Sequence, residues 1–277
     1  MQKFKLALNK RQSMVTIILV LLVLLVFIWS KLNFTGKNRI ISGVAIQIEA
    51  DSSAVFVNEQ EISNYIQDKV GSPVGKSASE ISLTKIETIL NSSPYIEKST
   101  AYIGFDGVLK IKVKERKPII QIKNIIGEEF YLDSLGYQIP KKENIQPDVI
   151  IATGKISIKH KAGFISRVPI ANEILELGKF LFYNKFWDFQ FEQCYVDNYN
   201  RLLLIPRVGS HSIVIDNTQN MDKKFENLRL FYKKGLQTVG WNKYVQIDLS
   251  INNQVIGRMS EVENEHTTTN TVQKAKH

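Results

Sequence analysis

The sequence predicts an α+β protein: one N-terminal transmembrane helix, a small β-α-α-β-β domain, then a larger mixed β domain with two helices. Three observations predict it. Met14–Trp29, MVTIILVLLVLLVFIW, holds no charge. Residues 44–113 pass from strand alternation to helical spacing, twice, and back to strand alternation. Beyond Pro118, short strand-like runs are interrupted by two helical stripes.

The apolar run has one hydroxyl, Thr16, and ends on Trp29, where an interfacial aromatic belongs. Its sixteen residues rise roughly 24 Å as a helix, short of a ~30 Å hydrocarbon core. Apolar character resumes at Leu32 and Phe34, with Lys31 able to snorkel between them. The rival reading is a cleaved signal peptide, but the small residues that would fit a cleavage site, Gly43 and Ala45, lie far downstream. Lys3, Lys5, Lys10 and Arg11 precede the run, and Lys31, Lys37 and Arg39 follow it. With a short tail before it and the bulk after it, the run suits a single-pass, N-inside orientation.

Of 277 residues, 44% are hydrophobic, enough for a core. Lys and Arg number 36 against 27 Asp and Glu, a net charge of +9. That balance suits nucleic acid, anionic lipid or neither. The lone Cys194 forms no internal disulfide. His160, His211, His266 and His277 share no metal-ligand spacing. No nucleophile elbow or paired-carboxylate signature appears, so no catalytic, cofactor or metal residue is assigned. Gly71–Ser77, GSPVGKS, falls short of a phosphate-binding loop: only three residues separate its glycines and it follows a helix. It reads as a helix–helix connection.

Val44, Ile46 and Ile48 alternate with Ala45, Gln47 and Glu49 as in a half-buried strand, with Val55–Val57 as a candidate continuation. Asn58 with Glu61 is an N-terminal capping pair for a helix carrying Ile62, Tyr65, Ile66 and Val70, stopped by Gly71. Leu83, Ile86, Ile89 and Leu90 mark a second helix. Thr100–Val113 reads as a hairpin. A three-residue loop, Asp106-Gly107-Val108, would pair Phe105 with Leu109, Ile103 with Ile111 and Ala101 with Val113 on one apolar face. Lys110, Lys112 and Lys114 then face water. Little aromatic interleaving accompanies them, which argues against nucleic acid.

Pro118 marks a junction. Ile119–Ile126 and Phe130–Leu132 are strand-like, with turns at Gly127 and Asp133–Gly136. Ile170, Ile174, Leu177 and Leu181 form one helical stripe after Pro169. Phe186–Val196, Arg201–Pro206 and Ser210–Ile215 read as a three-stranded meander. Met221, Phe225, Leu228 and Tyr232 form the second stripe, ending at Gly235. Tyr244–Ile251 is a final strand, with Val255-Ile256 as its extension past Asn252-Asn253. The predicted segments are a cytoplasmic tail (1–13), a transmembrane helix (14–30), a linker (31–43), two domains (44–117 and 118–258) and a disordered tail (259–277).

Pro94-Tyr95-Ile96, the strand Leu109-Lys110-Ile111-Lys112-Val113, the exit Glu115-Arg116-Lys117-Pro118 and the element FYLDSLG at Phe130–Gly136 together resemble the FtsQ/DivIB cell-division proteins of bacteria. The resemblance covers nearly the whole chain. It implies a POTRA-like first domain, a β domain entered through a junction at Glu115 and Pro118, and no enzymatic activity. It also implies a divisome scaffold that links early and late division proteins, without nucleic acid or small-molecule substrate. The implied location is the inner membrane at the division site, single-pass, with the bulk periplasmic. In that family the last strand and a neighbouring helix hold the small coiled-coil partners FtsB and FtsL, and other divisome proteins are further candidates. Carried onto DLSINNQVI at Asp248–Ile256, this gives Leu249, Ile251, Asn253, Val255 and Ile256 as partner-binding residues. Many members show Arg-Tyr where this chain has Ser250-Ile251, so main-chain pairing along a sheet edge is the mode that remains.

Three other readings compete: an anchored enzyme with a spatially assembled site, a POTRA-bearing protein of envelope assembly or secretion, and an extracellular sensor or adhesion module. Converging His160 or His211 with carboxylates would favour the first. Repeated domains or a C-terminal barrel would favour the second. Sequons at Asn33 and Asn91 are the only mark of the third.

Overall fold

The computed structural model describes residues 14–29, 39–50, 55–161, 168–236, 240–251 and 253–259. Residues 14–29 form helix α1, every side chain exposed. Among the described residues no helix is long and apolar enough to cross a membrane. The chain forms two compact units, one up to Glu49 with Val57–Lys114, the other Ala50–Phe56 with Glu115 onward. The expected tail beyond Met259 lies outside the described residues.

In the first unit, strand β1 (Gly43–Glu49) is followed by helices α2 (Glu59–Val70) and α3 (Leu83–Asn91), then strands β2 (Ile96–Ile103) and β3 (Val108–Glu115). The helices start where side chains replace missing backbone partners: Asn58 Oδ1 accepts the Glu61 N–H at 2.8 Å and Ser82 Oγ the Lys85 N–H at 3.2 Å. Gly71, at φ 83°, ends α2. Strand order is β1-β3-β2. Strand β1 runs parallel to β3, placing Val44, Ile46 and Ile48 beside Leu109, Ile111 and Val113. Ile62, Ile66, Ile86 and Leu90 from the helices close the core over that face. Parallel neighbours require a long crossover, here the helix pair and β2.

The hairpin turns one residue earlier than the sequence suggests. Gly104 N–H donates to Val108 O and Gly107 N–H to Gly104 O, so the loop is Phe105-Asp106-Gly107. Gly107, at φ 77°, supplies the left-handed third loop position of this hairpin type. The pairing slips by two residues, an even number, so the apolar face is unchanged and only Phe105 is expelled to solvent. On the water face Lys110 pairs with Asp106 at 3.1 Å and Lys114 with Glu97 at 3.0 Å. The outer edge of β2 is occupied by side chains of α3: Asn91 Oδ1 accepts the Ser99 N–H and Glu87 Oε1 the Ala101 N–H, both at 2.7 Å. Val55–Val57 forms no strand.

The second unit holds a nine-stranded sheet over one core. Its elements are β4 (Pro118–Lys123), β5 (Glu129–Asp133), β6 (Gln138–Pro140), β7 (Ile151–Gly154), α4 (Pro169–Tyr183), β8 (Phe191–Val196), β9 (Leu202–Pro206), β10 (Ser212–Ile215), α5 (Met221–Phe231), β11 (Tyr244–Asp248) and β12 (Ile256–Met259). The order across the sheet is β12-β11-β10-β9-β8-β7-β4-β5-β6. Pro169 starts α4 at a position where its missing N–H costs nothing. Gly178 lets α4 approach β4; a Cβ there would lie 3.2 Å from Ile120. Phe180, Trp187, Phe191, Phe225 and Tyr232 form an aromatic network between the helices and the sheet.

Five strand expectations change. Ile119–Ile126 is shorter, because Asn124 turns the chain: its Oδ1 accepts the Ile126 and Glu128 N–H groups. The start of Phe186–Val196 is a turn closed on Asn184 O by Trp187 and Asp188, so the strand begins at Phe191. Strands β6 and β7, absent from the sequence reading, are only three and four residues long. Strand β11 stops at Asp248 and runs parallel to β10, and Val255-Ile256 does not extend it. The chain turns back instead, and Ile256–Met259 pairs antiparallel with β11.

FYLDSLG is explained by one carboxylate. Asp133 Oδ1 accepts the Leu135 and Tyr137 N–H groups at 2.9 and 2.8 Å, while Gly136 takes φ 81° to close the turn. Asp133 Oδ2 accepts from Arg116 Nη1 at 2.7 Å, both side chains being nearly buried. The Arg116 guanidinium also lies 3.5 Å over the Tyr137 ring. Asp133→Ala strands a buried cation and two amides. It is expected to cost about 3–5 kcal/mol, measured by denaturant unfolding of the purified protein. A cost under about 1 kcal/mol, the range of an exposed pair, would contradict this assignment.

Candidate functional site

A sheet edge presents backbone N–H and C=O groups to any strand that can reach them. The nine-stranded sheet has two ends. At one, β6 is three residues long, ends in Pro140, and is covered by a neighbouring segment: Gln138 Oε1 accepts the Lys161 N–H at 2.6 Å and Gln138 Nε2 donates to Lys159 O. At the other, β12 pairs only with β11 among the described residues.

Packing at that end begins with α5, the crossover between parallel β10 and β11. It buries Met221, Phe225 and Leu228. Lys224, also buried, ties its first turn to the preceding loop, donating to Asp216 Oδ1 and Asn217 O at 2.8 Å each. Beyond α5 the chain passes through a turn of π-helix, Tyr232–Leu236. There the Tyr232 hydroxyl lies 3.0 Å from His211 Nε2, both rings being buried. Trp241, ahead of β11, packs on both rings. Burial lowers the His211 pKa from its ordinary value near 6.5, opposed in part by the nearby Trp241 backbone. Burial likewise raises the Tyr232 hydroxyl.

The ladder then continues one residue past β11, with Leu249 N–H donating to Val214 O at 2.9 Å. The Leu249 side chain is 1% exposed and packs in the core, so it is withdrawn from any partner surface. The chain reverses in a turn closed by Gln254 N–H on Ile251 O, with Asn253 at φ 61°. Ile251 and Ile256 are 47% and 38% exposed. Val255 is half-buried against the core. In β12, Gly257 lies beneath the Tyr244 ring, where a Cβ would come within 2.5 Å. Asp248 Oδ1 accepts the Ser250 N–H at 2.9 Å, and its other oxygen lies 3.9 Å from Arg258 Nη2. Between α5 and this turn lies a cavity of about 350 Å³, lined by Lys223, Asn227, Ile251, Asn253 and Gln254. Four of the five predicted residues therefore cluster at one corner. Arg258 and Met259, on β12, share this corner and were not among the predicted residues. Asn252-Asn253, a turn-forming pair before VIGRM, was the sequence signal for a returning strand.

Over this fold, a family model described as FtsQ/DivIB, C-terminal related, matches residues 117–258. The chain belongs to the FtsQ/DivIB family. A POTRA-like domain model matches residues 39–114. No individual curated protein matches the chain. FtsQ/DivIB proteins are non-enzymatic proteins of cell division, so the chain is placed among proteins that act through protein partners.

Elsewhere in this FtsQ/DivIB chain, the sheet carries a polar hollow of about 460 Å³ lined by Gln121, Lys123, Glu129, Lys141, Thr153 and Gln193. Its groups satisfy one another. Gln193 Nε2 donates to Thr153 Oγ1 at 2.6 Å, and both Lys141 and Lys123 pair with Glu129. The hydrogen bond from Lys141, with Lys123 beside it, holds the Glu129 carboxyl below its usual range. This is an ion cluster, not a poised acid. Among the described residues neither His160 nor His211 forms a ring-to-carboxylate ion pair: His211 faces Tyr232, and His160 packs against Phe130 while its backbone N–H donates to Glu128. Among the described residues no group of His, Cys, Asp and Glu is arranged to hold a metal.

His211 has a folded-state pKa below its unfolded value, so the unfolded chain binds the extra proton. Its contribution is complete above about pH 6.5 and is lost as pH falls through the folded-state pKa. The wild-type protein should lose stability as pH falls below about 6.5, and His211→Gln should flatten that slope. Equal slopes in the two proteins would contradict it.

Proposed function

We propose that this protein is a non-enzymatic divisome scaffold whose partners add a strand to the edge of β12 and lay a helix beside α5. The observation that carries this reading is the arrangement at one corner: an edge strand uncovered among the described residues, exposed Ile251 and Ile256, and the cavity bounded by α5. Strand addition satisfies the edge's backbone groups, while side-chain pockets supply selectivity. Ile251, Asn253, Val255 and Ile256 are the proposed contacts, with Arg258 and Met259 added from β12. FtsB- and FtsL-type coiled-coil proteins are the proposed partners, supported by family membership. Through them, and other divisome proteins, the scaffold links early and late steps of division.

The anchor is proposed from sequence. Helix α1 with the apolar residues that follow it, Leu32 and Phe34, supplies a single span. The N-terminus is then cytoplasmic and both folded units lie outside the cytoplasm, at the division site of the inner membrane. The two units are proposed as separate domains, 44–117 and 118–258, joined at Glu115–Pro118.

Ile256→Lys places an ammonium on the docking face without touching the buried core. It is expected to abolish co-purification of the coiled-coil partner and mid-cell localisation, with the unfolding midpoint unchanged. Full partner retention by the folded variant would overturn the assignment. Normal division after depletion of the wild-type protein would overturn the scaffold reading itself.

A further inference from the structure

Phe105 is 99% exposed at the tip of the β2–β3 hairpin, an environment water does not favour for a phenyl ring. It is not isolated. The segment Arg39–Ser42 is clamped at the same end of the sheet. Arg39 O accepts the Ala78 N–H at 2.8 Å, Ile41 exchanges backbone hydrogen bonds with Lys76 and Gly75, and Ser42 N–H donates to Gly107 O at 3.0 Å. Arg39 Nη1 donates to Gly104 O at 3.0 Å, fixing its side chain against the hairpin loop. The clamp brings Ile40 (57% exposed) to the hairpin end, and Val74, on the loop that Ile41 bonds, is half exposed. Beside these apolar tips stand the cations Arg39 and Lys110, against one acid, Asp106, which Lys110 neutralises. Asp106 is itself committed to the turn, its Oδ1 accepting the Val108 N–H at 3.1 Å.

The chain reaches this end from the apolar helix. Residues 30–38 are nine in number, and even fully extended nine residues reach no more than about 32 Å. They carry two further cations, Lys31 and Lys37, and no acid. We propose that the hairpin tip of the POTRA-like unit inserts into the headgroup interface of an anionic membrane, with Phe105 and Ile40 as apolar wedges and the Arg39 guanidinium against lipid phosphates. Aromatic and aliphatic side chains with flanking cations are the pattern that settles at that depth. Each cation near an anionic surface adds to the attraction, which salt screens. The tip thereby sets the first unit's orientation on the membrane. The inference rests on the proposal that α1 is embedded in the bilayer.

The test uses the full chain reconstituted in vesicles. Cys194 is fully buried and its thiol is pushed up to about 12 by burial, so a second cysteine can be labelled selectively. Phe105→Cys, Val23→Cys in the apolar helix and Tyr199→Cys on the second unit each receive an environment-sensitive fluorophore. The Phe105 site is expected to show blue-shifted emission, quenched by lipids spin-labelled at the headgroup. Both signals should weaken when neutral phosphatidylcholine replaces anionic phosphatidylglycerol, and the Tyr199 site should show neither. Deep quenching at Val23 with a water-like signal at Phe105 would overturn the tip proposal and leave the anchor standing. A water-like signal at Val23 would overturn the anchor, and the tip proposal with it. A Phe105 signal indifferent to lipid charge would overturn the role of the cations.

Discussion

The parallel pairing of β10 with β11 is the constraint on which the proposed function depends. Two parallel neighbours cannot be joined by a tight turn, so the chain must leave the sheet, cross over it and return. Helix α5 is that crossover, and it stays in place because Met221, Phe225 and Leu228 are buried against the sheet. The His211–Tyr232 contact fixes its far end, and the Lys224 ammonium its near end. Once β11 is placed, the remaining chain can only turn back along its free side. That leaves β12 at the end of the sheet, with α5 close enough to share a cavity with the turn before it.

The two units treat their edges differently. In the first, Asn91 and Glu87 occupy the outward N–H groups of Ser99 and Ala101, so β2 offers little to an incoming strand. In the second, β6 is blunted by Pro140 and by the segment at Lys159–Lys161. Exposed edges are a hazard that folds generally suppress. Among the described residues nothing pairs with the outer side of β12, the edge that the proposal assigns to a partner strand.

Much of this was legible in the sequence where a single residue decides a local event. Asn58 and Glu61 marked the start of α2, Gly71 its end, and the stripes Ile170–Leu181 and Met221–Tyr232 the two large helices. The apolar face of the hairpin was legible because the period of a strand is two. Its loop was not, because the left-handed demand at Gly107 outranks the pairing of Phe105 with Leu109. Strands β6 and β7 are too short to carry a pattern. Whether β11 pairs parallel or antiparallel is decided by long-range packing, and alternation in Tyr244–Ile251 reads the same either way. For that reason the expected single edge strand is two strands joined by a turn, and Leu249 was assigned to a surface it does not reach.

The junction links the family motif to the fold. Arg116 reaches from the exit of β3 to Asp133, so the two most recognisable stretches of the sequence meet in one buried ion pair. The β12 edge remains the proposed docking site. Its most direct measurement is amide hydrogen exchange across the protein with and without the coiled-coil partner. Docking by strand addition predicts that Ile256–Met259 gains protection on binding, together with the exposed face of α5. Protection confined to the first unit, or none at β12 under saturating partner, would contradict it.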